Sequence, residues 1–281
     1  MASMRFLYVV DLHGDLAACE AALKAAVDLG AAAIVNGGDM LPHGSGDALS
    51  DQRAALRALG AHLADVRSAG VRAYLMFGND DARALSPALD EWAADGLAVR
   101  LDAGWSDLGG WRVIGFPWVP DTPFRLKDWC RHDRSDRGNP PQFGAPLIST
   151  QRGLTPAGGD SGAYLSRLPT IEEELARLPA PGDPDRAILV THGPPAGIGL
   201  DLCWDGRAVG SVAGRRFIEA SGFPLSLHGH IHEAPEVSGA WHARLGRTTC
   251  VNPGVRERPD WVLVDLDART LRHRWLGDTV F

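Results

Sequence analysis

Five short apolar segments of this 281-residue chain each end in a cluster of aspartate, asparagine or histidine. In chain order the clusters are Asp11-Leu12-His13, Gly38-Asp39, Gly78-Asn79-Asp80-Asp81, Thr191-His192-Gly193 and His228-Gly229-His230-Ile231-His232. Short apolar segments bounded in this way predict buried strands. In open α/β sheets, ligands bind beyond the carboxyl ends of the strands. Carboxylates and imidazoles suit ions such as Mn, Fe, Zn or Mg, so the pattern predicts one shared site large enough for two metal ions.

The order of the predicted elements indicates an α/β fold. Strand-like and helical segments alternate through residues 5–116, with one helix capped by Asp15 and ended by Gly30 and a second over residues 49–69. This alternation predicts a mixed or parallel central sheet covered by helices. The last third of the chain is rich in strand-like segments, and we expect it to be antiparallel. We expect residues 1–281 to form a single domain.

Residues 117–169 interrupt this alternation. The segment is rich in Pro, Gly, Arg and Asp, and a stretch of this length without periodicity is typically a lid or disordered. Its aromatic residues favour a lid-like insertion. Three cations in it are candidates for binding substrate phosphate, namely Arg125, Lys127 and Arg131. Nearby aspartates nearly balance these charges, so an ordinary solvated loop fits equally well.

Composition restricts the binding partners and the cellular compartment that we expect for the protein. The formal net charge of −7 and the pI of about 5.8 provide no general basic field for nucleic acid. The 4 cysteines show no CxxC spacing, which argues against a thiolate zinc site and fits a reducing compartment. The N-terminus lacks a signal-peptide pattern, and no apolar stretch approaches the roughly 20 residues that span a bilayer. We therefore expect a cytoplasmic protein with no membrane partner.

The motif order DxH, GGD, GNxD, THG and GHxH, over residues 11–232, resembles the calcineurin-like metallophosphoesterase superfamily. The resemblance implies two packed mixed β-sheets flanked by helices, with two metal ions between the motifs. It implies one ion held by Asp11, His13, Asp39 and His232. It implies a second ion held by Asp39, Asn79, His192 and His230. Asp11 and His13 alternate along an extended segment, so both can face one ion.

The resemblance also implies the reaction. The expected activity is hydrolysis of a small phosphoester by a metal-bridging hydroxide. The order of THGPP, a Gly- and Asp-containing loop at residues 197–201 and GHIHE resembles a subgroup related to mammalian brain metallophosphodiesterases, which favours phosphodiesters. A phosphomonoesterase, a nucleotide phosphohydrolase and a non-catalytic metal-binding scaffold remain alternatives. Besides residues 117–169, we expect residues 197–201 to form a second loop at the edge of the site.

One position departs from the family pattern. The family usually has Gly-Asn-His-Asp or Gly-Asn-His-Glu, whose His contacts phosphate and protonates the leaving oxygen, whereas this chain has Asp80 there. Asp80 would serve as an acid only with a raised pKa, and the preferred interpretation is that it shapes the loop. Asp81 and His228 are the other candidates for a catalytic acid, and Asn79 is also a candidate substrate contact.

Overall fold

The computed structural model describes residues 4–43, 48–136, 138–255 and 260–281. The strands in the first half of the chain are β1 (Arg5–Val9), β2 (Ala33–Asn36), β3 (Arg72–Leu75), β4 (Val99–Arg100), β5 (Ser106–Leu108), β6 (Trp111–Phe116), β7 (Val119–Pro120) and β8 (Cys130–Arg131). The later strands are β9 (Leu147–Thr150), β10 (Gly153–Pro156), β11 (Ala187–Thr191), β12 (Leu225–Leu227), β13 (His242–Leu245), β14 (Thr248–Val251), β15 (Trp261–Asp265), β16 (Thr270–His273) and β17 (Gly277–Val280).

The α-helices are α1 (Leu16–Asp28), α2 (Ala48–Ser68), α3 (Pro87–Ala94), α4 (Ser161–Leu165), α5 (Ile171–Ala176), α6 (Val212–Ser221) and α7 (Ala234–Ser238). Local sequence explains several of their ends. Asp15 caps α1 by accepting the Ala18 N–H at 2.9 Å. Ser211 caps α6, which ends at Gly222 in the left-handed conformation.

Two large mixed sheets form the centre of the molecule. The first has the order β17-β16-β15-β1-β2-β3-β4, and the second has the order β13-β14-β12-β11-β6-β5. In the first sheet, β1 to β4 are parallel and the C-terminal strands join the edge of β1 antiparallel. In the second, β6, β11, β12 and β14 are parallel. The expected antiparallel C-terminal third is therefore wrong for β12 and β14, which continue the parallel sheet beside β11.

The two sheets pack face to face, with helices on both outer surfaces. Alternation along β1 shows the layering, because Phe6 and Tyr8 lie in the core between the sheets while Leu7 and Val9 pack under α1 and α2. A third cluster lies between α6 and the outer face of the second sheet. The expected fold of two mixed sheets flanked by helices is confirmed. Within the described residues, no helix is long and apolar enough to cross a bilayer.

The segment 117–169 has more structure than its sequence suggested. It contains the parallel pair β7 and β8, the antiparallel pair β9 and β10, and α4. The sequence does not predict these strands because each has only 2 to 4 residues, which is too few to show a periodicity of apolar residues. Trp129 and Cys130 are buried in it. The segment is therefore an integral part of the folded domain.

Candidate metal centre

The five polar clusters meet at one end of the sandwich. Each follows the carboxyl end of a parallel strand, namely β1, β2, β3, β11 or β12. The loops are joined by backbone hydrogen bonds, including Asp11 N–H to Gly38 O at 3.1 Å and His13 N–H to Asp39 O at 2.9 Å. The Gly229 N–H likewise donates to His192 O at 3.0 Å. Parallel pairing therefore places side chains as far apart in the chain as Asp11 and His232 around one cleft.

The backbone at this end of the sheets is strained. Among the described residues, positive φ occurs at five non-glycine positions, and four of them lie in these loops: Asp11, His13, Asp39 and His230. Such conformations are uncommon for non-glycine residues and persist only where the surroundings enforce them. Strain of this kind concentrates at functional sites.

Close approach of the loops depends on glycine. A Cβ added at Gly78 would lie 2.3 Å from Asp39 Oδ1 and 2.7 Å from His192 Cε1. A Cβ at Gly229 would lie 2.6 Å from Asp11 Oδ2. These glycines of the GND and GHIH motifs therefore let the carboxylates and imidazoles converge.

The first donor cluster contains Asp11, His13 and His232, whose candidate ligand atoms lie within 4.8 Å of one another. The two histidines approach through Nε2 atoms that are 3.2 Å apart. Asp11 Oδ1 lies 3.7 Å from His232 Nε2, while Asp11 Oδ2 accepts the His230 N–H at 2.9 Å. One carboxylate oxygen is thus held by the backbone and the other faces the cluster.

The second donor cluster contains Asp39, His192 and His230, again within 4.8 Å. His192 Nε2 lies 3.1 Å from Asp39 Oδ2 and 2.9 Å from Asn79 Oδ1. The other ring nitrogen, Nδ1, contacts Gly37 O at 3.0 Å, which makes it the protonated nitrogen and leaves Nε2 as the ligand atom. The clusters adjoin, because Asp11 Oδ1 also lies 3.9 Å from His192 Nε2.

The donor set fits cations. Asp11 Oδ1 is buried and has no hydrogen-bond partner among the described residues. A buried carboxylate oxygen without a donor is unfavourable unless a cation is close to it. The Nε2 atoms of His13 and His232 face each other at 3.2 Å, so either a proton or a metal ion must lie between their lone pairs. Oxygen and imidazole donors without thiolate suit hard or borderline divalent ions.

The electrostatics of the cleft also favour cations. Burial would lower the pKa of His192 and His232, but the carboxylates Asp39 and Asp11 outweigh it and raise these values to about 10 and about 9. Burial would raise the pKa of Asp11, yet His232 and His192 bring it below its usual value. His230 differs, because burial and the neighbouring His192 lower its pKa to about 3. The carboxylates thus create a negative potential that a metal ion would satisfy in place of protons.

Asp81 lies beneath the cleft and links two of its loops. Its carboxylate accepts backbone N–H groups from Gly78 at 2.8 Å, Leu41 at 2.7 Å and Met40 at 3.2 Å. Burial raises its pKa, and Asp39 adds to that effect. Both oxygens accept hydrogen bonds from the backbone, and the side chain is 0% exposed. This geometry suits a structural clamp and leaves the carboxylate no access to substrate.

Asp80 lies at the mouth of the cleft and orients its neighbours. Its Oδ1 accepts from Asn79 Nδ2 at 2.9 Å, which turns Asn79 Oδ1 toward His192. Its Oδ2 lies 2.8 Å from Nδ1 of His43, whose ring stacks on His13 at 3.8 Å. The sequence analysis missed His43, although it follows the GGD motif by only four residues.

His228 is buried behind the cleft. Its Nδ1 contacts Thr191 Oγ1 at 2.7 Å, and burial lowers its pKa to about 3. A neutral, fully buried imidazole has no route for a proton to the cleft mouth. Asn252 holds the loop that carries the candidate ligands His230 and His232, called the ligand loop below. Its Nδ2 donates to Gly229 O at 3.3 Å and to Ile231 O at 3.0 Å.

The three candidate phosphate-binding cations occupy different environments. Lys127 is 0% exposed, and its ammonium donates to Asp121 at 2.7 Å and to Thr122 O at 2.5 Å. Arg131 is buried, with its guanidinium 3.5 Å from the centroid of the Trp118 ring. Arg125 donates to Ala145 O within the insertion itself. Lys127 and Arg131 therefore make their contacts inside the protein. None of the three cations contacts a candidate metal ligand through these interactions.

Comparisons with known proteins agree with this architecture. The family model for calcineurin-like phosphoesterases matches residues 4–234. The crystal structure of TT1561 from Thermus thermophilus superposes with a TM-score of 0.57 at 21% identity, covering 98% of this chain and 100% of that one. A dimetal phosphatase from Danio rerio gives a TM-score of 0.51 at 16% identity, covering 98% and 96%. At these identities the likeness concerns the fold.

A sequence comparison with curated proteins finds no match. The family model nevertheless spans most of the chain and includes all five polar clusters described above. The chain belongs to the calcineurin-like phosphoesterase family.

Proposed function

We propose that this protein hydrolyses phosphodiesters at a dinuclear metal centre in the cleft. The observation that carries the proposal is the pair of adjoining donor clusters, Asp11 with His13 and His232, and Asp39 with His192 and His230. Asp11 Oδ1 lies within 3.9 Å of imidazole nitrogens from both clusters, so the two ions would occupy one continuous site.

The ligands divide between two ions. We assign Asp11, His13, Asp39 and His232 to one ion and Asp39, Asn79, His192 and His230 to the other. Asp39 is the shared carboxylate in this assignment, because it follows β2, which lies between β1 and β3. Two ions in such a site supply Lewis acidity and lower the pKa of coordinated water, which provides a nucleophile at neutral pH. Manganese, iron, zinc and magnesium are all compatible with the donor set.

The remaining residues of the cleft position this machinery. Asp80 donates its N–H to Asp39 Oδ1 at 2.8 Å and orients Asn79 through its side chain. We therefore assign Asp80 a positioning role and exclude Asp81 and His228 as proton donors. Without a dedicated acid, esters whose leaving groups are stable anions should react fastest. The order of the THGPP and GHIHE motifs supports diesters over monoesters.

We propose that residues 117–169 act as a wall of the substrate cleft. Trp129 Nε1 donates to Asp81 O at 2.7 Å, next to the Asn79 loop. Val119 Cγ1 would lie 3.4 Å from a Cβ at Gly193, next to His192. The segment thus contacts loops of both sheets beside candidate ligands. Its buried core makes it a fixed wall, with substrate range set by its exposed residues.

The test combines metal analysis with a substrate panel. Purified protein should contain about two ions per chain and hydrolyse bis(4-nitrophenyl) phosphate faster than 4-nitrophenyl phosphate. Asp39→Asn should lose metal and activity, whereas the control Asp28→Asn, on the exposed end of α1, should keep both. Faster monoester hydrolysis would favour a phosphatase. Metal-loaded protein with no activity on either class would refute the proposed function.

A further inference from the structure

A large aromatic side chain stands exposed beside the candidate metal cleft. Trp204 is 69% exposed, although tryptophan is on average a highly buried residue. It lies at the tip of a hairpin formed by residues 201–209. Its backbone N–H donates to Glu233 Oε1 at 3.2 Å, and Glu233 directly follows the candidate ligand His232. The backbone that carries the indole is therefore hydrogen-bonded to the residue that follows His232.

The hairpin has a defined internal structure. The Cys203 N–H donates to Arg207 O at 3.0 Å and the Val209 N–H to Asp201 O at 3.0 Å. At its base, buried Asp201 accepts the N–H groups of Gly197 at 2.9 Å and Gly210 at 3.2 Å. A hairpin fixed at both its base and its strands holds the backbone at its tip in a defined position.

The side chain of Asn252 joins the base of the hairpin to the ligand loop. Asn252 Nδ2 donates to Leu200 O at 3.1 Å as well as to Gly229 O and Ile231 O in the GHIH segment. The side chain of His232 is 32% exposed, which places it at the open mouth of the cleft. The hairpin contacts this side of the cleft through Glu233, the residue that follows His232.

The charges around Trp204 restrict what it could contact. Asp205 and Glu233 flank it, and Arg207 pairs with Asp205 at 2.6 Å. This rim lacks the net positive charge that a polyanionic backbone requires. It suits an uncharged planar ring, which stacks on indole irrespective of hydrogen-bond pattern.

We propose that Trp204 is a specificity-determining residue that stacks on a planar ring in the ester group that the substrate keeps when the leaving group departs. The inference rests on the proposed phosphodiesterase function and narrows the substrate class to small aryl or nucleoside phosphodiesters. Loss of one base–aromatic stack should reduce kcat/KM by about 5- to 150-fold. The metal ligands are untouched by the change, so metal content should stay the same.

The kinetic test uses two diesters with the same leaving group. Thymidine 5′-(4-nitrophenyl phosphate) and methyl 4-nitrophenyl phosphate both release 4-nitrophenolate, but only the first carries a second ring. In the manganese-loaded full chain, Trp204→Ala should reduce kcat/KM for the thymidine ester alone, and Trp204→Phe should restore most of it. Trp275→Ala is the matched control, because Trp275 is 62% exposed and follows β16, which β15 separates from the ligand-bearing strand β1. An equal loss on both esters, or no loss, would overturn the proposal.

A binding measurement separates this inference from the proposed function. Calorimetry would compare adenosine 5′-monophosphate with ribose 5-phosphate, which differ only by the base. Wild type should bind the nucleotide more tightly, and Trp204→Ala should remove that preference. If wild type cleaves neither diester, the proposed function fails, yet this preference would still support the stacking role. Equal affinities in wild type would refute it and leave the exposed indole to a protein partner.

Discussion

Asp81 provides a direct test of how the two ligand loops are held together. Its carboxylate accepts three buried N–H groups, two from the loop after β2 and one from the loop after β3. Asp81→Ala removes the acceptor for all of them. A buried donor left without a partner costs roughly 1–3 kcal/mol. The change also relieves repulsion between Asp81 and Asp39, so the lower end of this range applies to each donor.

We therefore expect Asp81→Ala to lower the free energy of unfolding by about 3 kcal/mol, three donors at about 1 kcal/mol each. Asp15→Ala is the matched control, because it removes one exposed acceptor at the start of α1. That loss should cost about 1 kcal/mol. Asp81→Asn should lose less than Asp81→Ala, since its amide oxygen can still accept from Gly78 and Met40 while its NH2 group faces the Leu41 N–H.

Urea unfolding followed by tryptophan fluorescence measures these differences. The protein should first be treated with a chelator, because metal binding would add stability that depends on the free ion concentration. A loss for Asp81→Ala no larger than that of Asp15→Ala would refute the clamp. Normal stability with reduced activity would instead indicate that Asp81 takes part in the chemistry.

Three further outcomes follow from the cleft and the insertion. Asp39→Asn should reduce the metal content well below two ions per chain by elemental analysis, and a variant that retains two tightly bound ions would exclude Asp39 as the shared ligand. Lys127→Met should destabilise the protein by about 3–5 kcal/mol in urea unfolding, because it leaves the Asp121 carboxylate buried without its cation; adding Asp121→Asn should recover part of the loss. Asp80→Asn should weaken metal binding through Asn79 but leave the dependence of rate on leaving-group pKa unchanged, whereas a steeper dependence would show that Asp80 donates the proton.

Much of the architecture was available from local sequence. The strands β1, β2, β3, β11 and β12 end close before the five polar clusters, because buried parallel strands are read as continuous apolar segments and their ends are set by polar residues. The helix α1 begins at its expected cap, Asp15. The short strands in residues 117–169 could not be predicted, since their few residues are stabilised by contacts with distant parts of the chain.

The sequence by itself determined which residue types converge, because polar clusters after parallel strands must meet at one edge of the sheets. Only the tertiary structure decided their individual roles. Asp81, Lys127 and His228 resemble reactive groups in sequence, but burial and their partners commit them to internal contacts. His43 and Trp204 carry no motif, yet folding brings both to the cleft mouth. The physical reason is that the residue type sets which reactions and contacts a side chain is capable of. Its solvent exposure and its neighbours decide which of these it makes, and both depend on long-range packing.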